Sequence, residues 1–124
     1  SINIMGVTFS AGDFRNPLYK EGPDFSNTNA RDVLRILEMP ICDAELYGVI
    51  EDADEVGAIL LRCKFALSET SKGLMARSGA LRETVSDENW WQGGSQDEDI
   101  KRRLRSMESL LEYAVNKGLP LFWS

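Results

Sequence analysis

The stretch SQDEDIKRRLRSMESLLEYAVNKGLPLFWS, residues 95–124, constrains the fold more than any other part of the chain. Ile100, Leu104, Met107, Leu111 and Ala114 recur at the spacing of one helical face, with Leu110 and Val115 beside them. Ser95 and Glu98 have the spacing of a capping box, in which both side chains satisfy orphan N–H groups at the helix start. Asp97–Lys101, Glu98–Arg102 and Asp99–Arg103 are acid-then-base pairs one turn apart, each contributing ~0.2–0.5 kcal/mol. Gly118 suits the left-handed residue that ends a helix. Leu119, Leu121 and Trp123 then alternate as one face of a strand. Pro120 lacks an N–H, so it restricts that strand to a sheet edge or marks its start. A long one-sided helix running directly into an apolar strand can bury both only against further helices and strands. That implies an α+β fold.

The remaining chain supplies those partners. FSNTNARDVLRILEMP reads as a helix capped by Asn27 or Asn29, with Asp32 favourable near its positive end. Val33, Leu34, Ile36 and Leu37 form its apolar side, and Pro40 stops it by disfavouring the helical conformation of Met39. Residues 41–50, ICDAELYGVI, read as a turn leading to a short strand. EDADEVGAILLRCKFAL gives a second helix, capped by Asp52 with Glu55 completing a capping-box variant. Val56, Ile59, Leu60, Cys63 and Leu67 make its buried stripe. Gly57 costs about 1 kcal/mol against alanine inside that helix, and reads as a point of close packing. Ile2–Phe9 alternates weakly enough for a short strand or ordered arm. Gly12, Asn16, Pro17, Gly22 and Pro23 mark an irregular loop, pinned by Phe14, Leu18 and Tyr19. Residues 74–92 read as a hairpin or irregular strand pair, with Gly73 and Gly79 as turn points. The expectation is one domain, residues 1–124, with three main helices packed on a small mixed or antiparallel sheet. Its expected core is Leu34, Leu37, Val49, Val56, Ile59, Leu60, Cys63, Leu67, Ile100, Leu104, Met107, Leu111, Leu121 and Trp123.

Three of these pieces lie in a recognisable order: FSNTNARDVLRIL, then YGVIEDADEVGAIL, then DIKRRLRSMESLLEYAVNKGLPLFWS with WWQGG just ahead of it. The arrangement resembles a group of small uncharacterised bacterial and phage-borne proteins. Their pattern runs N-x-N-A before helix one, Y-G before helix two, and a last helix ending in an apolar strand with tryptophan. The resemblance covers about two-thirds of the chain, and its short motifs are mostly caps and turns. The chain also looks like the orphan proteins carried on mobile elements such as integron cassettes. Neither resemblance implies an activity, and no catalytic residue is carried over from it.

Composition narrows the chemistry. The chain has no histidine, which removes Ser-His-Asp triads, Cys-His dyads and histidine-ligated zinc together. Cys42 and Cys63 are its only cysteines, too few for a closed zinc site or a disulfide framework, and read as reduced thiols in a cytoplasmic protein. No segment resembles a signal peptide, and no apolar run is long enough to span a bilayer. Neither a nucleophile motif of the G-x-S-x-G kind nor a phosphate-binding glycine loop occurs. The carboxylates Glu51, Asp52, Asp54 and Glu55 lie where a helix start favours negative charge, so capping accounts for them better than a cation does. No cofactor and no metal is expected. With 14 basic and 20 acidic side chains the formal charge is −6, which opposes nucleic acid and anionic membranes and favours a basic protein partner. KRRLR at 101–105 is neutralised by acidic neighbours one turn earlier.

Tryptophan is the remaining lead. Trp90 and Trp91 are adjacent, so on a strand they face opposite ways and one core cannot easily take both. Aromatic side chains of this size anchor interfaces and line ligand pockets. Two readings follow. The first is a non-enzymatic protein-interaction or accessory module, with an acidic surface, an aromatic patch at Trp90 and Trp91, and self-association as one form. The second is a small-ligand-binding protein or small carboxylate-based enzyme. Its pocket would draw on Trp90, Trp91, Asn27, Asn29, Arg31, Arg82 and Glu83.

Overall fold

The computed structural model describes residues 6–40, 47–69 and 93–124, with side chains from residue 98 onward in the last stretch. Seven elements follow in order: β1 (Val7–Ala11), β2 (Lys20–Phe25), α1 (Asn27–Ile36), β3 (Gly48–Ile50), α2 (Ala53–Leu67), α3 (Gly93–Lys117) and β4 (Leu121–Trp123). The four strands form one antiparallel sheet in the order β2-β1-β4-β3. Its inner face carries Val7, Phe9, Ala11, Ile50, Leu121 and Trp123, all buried against the helices. The expected α+β architecture is therefore present, and its sheet is antiparallel rather than mixed.

Alternation explains β1: Val7, Phe9 and Ala11 are fully buried while Thr8 and Ser10 between them are only half-covered. β1 covers the Val7–Phe9 part of the expected segment and runs on to Ala11, while residues 1–5 lie outside the described residues. β2 occupies part of what reads as loop in the sequence. Gly22 and Pro23 are tolerated because β2 has one neighbour among the described strands, and because the register shifts between Thr8 and Ser10. The two residues lie opposite Phe9 alone, a bulge that absorbs the missing proline N–H. The preceding loop is held by its backbone. Asn16 accepts from Leu18 N–H at 2.8 Å, Asp13 accepts from Arg15 N–H at 3.1 Å, and Tyr113 donates to the Leu18 carbonyl at 2.7 Å. Phe14 and Leu18, expected to pin the loop, point outward and are 74% and 45% exposed.

Helix ends follow the chemistry of orphan groups, with some changes of residue. Ser26, not Asn27 or Asn29, caps α1, its hydroxyl accepting from Asn29 N–H at 3.2 Å. The C-terminus of α1 closes before Pro40 is reached. Met39 N–H bonds the Leu34 carbonyl at 2.8 Å, and Glu38 N–H the Arg35 carbonyl at 3.1 Å. Glu38 takes the left-handed conformation there, φ 55°, which costs a non-glycine residue about 1 kcal/mol. Asp52 caps α2 as expected, accepting from Asp54 N–H at 2.9 Å. Glu55 makes no return bond among the described residues. Ser95 lies inside α3, which begins at Gly93. At the other end Gly118, φ 65°, closes α3 with bonds from Leu119 N–H to the Ala114 carbonyl (2.9 Å) and from Gly118 N–H to the Val115 carbonyl (3.3 Å). Pro120 then precedes β4 and leaves its ladder intact.

Most of the expected core is buried, and α2 packs against α3, where Cys63 meets the Leu104 carbonyl. Val49 is the exception. It lies on the outer face of the sheet beside Phe122 and is 44% exposed, because Gly48 and Ile50 take the inward positions of a three-residue strand. Leu60 and Leu67 sit at the core margin, and Val115 faces solvent. Asp99 pairs with Arg102 at 2.7 Å, one residue short of the i,i+4 partner. The hairpin expected over 74–92 lies outside the described residues.

Gly57 is not a packing point, since a Cβ built there meets nothing within 4 Å. Gly57→Ala should therefore stabilise the fold by about 1 kcal/mol, the helix-propensity difference alone. Urea melts followed by circular dichroism check this, and a loss of stability would show that the position is crowded after all.

Candidate interaction surfaces

Of the seven candidate residues, Trp90, Trp91, Arg82 and Glu83 lie outside the described residues. Asn27, Asn29 and Arg31 share the start of α1, all half-buried. They line neither of the two surface depressions described below.

The first depression lies on α2, where it passes the end of α1. Its stripe of Val56, Ile59, Cys63 and Ala66 is turned into the core. Leu61 and Phe65 lie two residues past Ile59 and Cys63, roughly 200° around the helix, and so face away from it. They are 67% and 61% exposed, one turn apart. With Glu38, Arg62 and Glu69 they line a shallow, open depression of about 420 Å³. Arg62 is fixed in its wall, Nη1 donating to the Leu37 carbonyl at 3.1 Å where α1 ends. That places the guanidinium at the negative end of α1. The Glu38 carboxylate makes no hydrogen bond or ion pair among the described residues. The sequence carries a signal for this surface: Leu61 and Phe65 are the large apolar residues of α2 left over once its core stripe is assigned.

A second depression, about 290 Å³, lies between β2 and α3 and is lined by Lys20, Gly22, Pro23, Ser106, Ser109 and Leu110. Beside it, the ammonium groups of Lys20 and Lys117 stand 5.5 and 5.9 Å from the centroid of the Tyr113 ring.

Other ionisable groups are engaged in structure. Lys64 bridges α2 to α3 through Glu112 at 2.8 Å and Glu108 at 3.0 Å, and these bonds, Glu112 first, raise its pKa. Being solvent-exposed, the bridge orients helices more than it stabilises them. Burial, reinforced by the Glu108 carboxylate, pushes the Cys63 thiol up to about 12. Its Sγ lies 3.1 Å from the Leu104 carbonyl, and the group stays protonated and unreactive at neutral pH. Cys42 lies outside the described residues. Among the described residues no group of three or more histidine, cysteine, aspartate or glutamate side chains is placed to hold a metal ion. None of the described helices is long and apolar enough to cross a membrane.

No protein-family model matches the chain, and no curated protein or solved structure is significantly similar to it.

Proposed function

We propose that this chain is a non-enzymatic protein-interaction module of the cytoplasm, docking its partner on the outer face of α2. The observation that carries the reading is the exposure of Leu61 and Phe65, one turn apart on a helix whose core stripe is already satisfied. Two large apolar side chains over a shallow depression are what an interface uses as anchors, and they bring no stability to the isolated fold. The −6 charge makes a basic partner the favoured one and speeds its approach. Nucleic acid is disfavoured by the same field.

The test compares the full chain with the double variant Leu61→Ser, Phe65→Ser. Both should melt within about 0.5 kcal/mol of each other, as surface changes do. A partner captured from the source cells, or a homodimer in solution, should be lost from the variant alone. An identical captured set from both proteins, or a strictly monomeric protein that captures nothing, would sink the reading.

A second reading, a small-ligand site, is favoured by the depression between β2 and α3. There Lys20 and the hydroxyls of Ser106 and Ser109 border an apolar floor of Pro23 and Leu110. Thermal shift with a panel of small carboxylates and phosphates checks it, and no stabilisation by any of them rejects it.

A further inference from the structure

The depression on α2 carries more than an apolar anchor. We infer that it receives a single arginine side chain of the partner, stacked on Phe65 and paired with Glu38. This rests on the docking reading above and specifies what the site recognises.

Three observations on the described surface converge. Phe65 presents an exposed ring, and a planar guanidinium is the cation that stacks best on such a face. Leu61 lies one turn earlier, along the path of the aliphatic stem of an incoming arginine. Glu38 stands at the rim with its carboxylate uncommitted among the described residues, the form a bidentate guanidinium contact needs. The conformation of Glu38 strengthens the assignment. A left-handed helix terminus favours glycine, and here a carboxylate is carried at that position despite the strain. Arg62 lines the same depression, and Glu69 is engaged in an interaction of its own, so Glu38 is the carboxylate the site offers. Arg62 donates to the Leu37 carbonyl at the negative end of α1, which offsets part of its charge. The formal charge of −6 over the whole chain favours the approach of a cationic group.

Glu38→Gly separates recognition from folding. It relieves the left-handed strain, so the variant should melt a few degrees higher. It removes the carboxylate, so binding should weaken about tenfold or more. The experiment pans a phage-displayed library of random peptides on the full chain. It then measures selected peptides, and their arginine-to-citrulline versions, against wild type, Glu38→Gly, Phe65→Ala and the Leu61→Ser, Phe65→Ser pair. The expected result is arginine beside an apolar residue in the selected peptides, with affinity lost on the citrulline change, on Glu38→Gly and on Phe65→Ala. Peptides that lose binding to the double variant yet carry no arginine, or bind Glu38→Gly or their citrulline forms equally well, overturn the arginine assignment and leave the docking reading standing. Selection of no peptide sensitive to the double variant overturns both.

Discussion

Replacing Trp123 with alanine is expected to destabilise the protein by about 3–5 kcal/mol, the range for emptying a buried large aromatic site. The indole is 3% exposed and stacks on Phe9, ring centroids 6.1 Å apart and planes 27° apart. Phe9 in turn meets Phe25 at 5.8 Å, so three strands contribute to one aromatic cluster. The other side of the indole matters equally. Gly48 pairs with Trp123 across β3 and β4, and a Cβ on Gly48 would lie 2.4 Å from the ring. The ring therefore occupies the space that a side chain on β3 would fill, and its loss leaves a cavity that glycine cannot close. Far-UV circular dichroism in urea measures the change without relying on tryptophan emission. A loss below about 1 kcal/mol, the ordinary effect of a point change, would mean that the neighbours collapse into the gap.

The second large effect belongs to Gly22→Val, expected to cost roughly 3 kcal/mol, the upper end of overpacking. A Cβ at Gly22 would stand 2.6 Å from a methyl of Leu110 and 2.9 Å from the Phe9 carbonyl oxygen. Leu110 is 1% exposed and has little room to retreat, while the Phe9 carbonyl is backbone in the neighbouring strand β1. The branched residue favours strands intrinsically, so propensity and packing oppose each other here, and packing dominates. The same melts report the result, and a neutral outcome would show that the bulge can open away from α3. Together with Gly57→Ala, this substitution contrasts a glycine required by its surroundings with one that is not.

The parts of the fold visible in the sequence were those governed by local periodicity. The faces of α3 and α2, the Asp52 cap and the Gly118 terminus each follow from residues within one or two turns. β2 was hidden because its signal is tertiary. Only its edge position and the bulge opposite Phe9 make Gly22 and Pro23 acceptable in a strand. Val49 was misplaced for a related reason. In a three-residue strand, parity alone decides which face a side chain takes, and parity is set by pairing with β4. For the candidate site, Leu61 and Phe65 were present as apolar residues unclaimed by the helical stripe, whereas Glu38 could not be found in advance. Its importance comes from a backbone conformation that its residue type does not announce.

The strand order has a consequence for how the protein is made. β4 lies between β1 and β3, so the sheet has no continuous centre until residues 121–123 leave the ribosome. Until then β2 is the one described strand that β1 can pair with, and the inward side chains Val7, Phe9 and Ala11 await the aromatic lid that Trp123 supplies. Closing so long a loop precedes any reward from the contact, which slows folding and prolongs the exposure of an apolar hairpin. The nascent chain is thus especially vulnerable to aggregation just before β4 emerges.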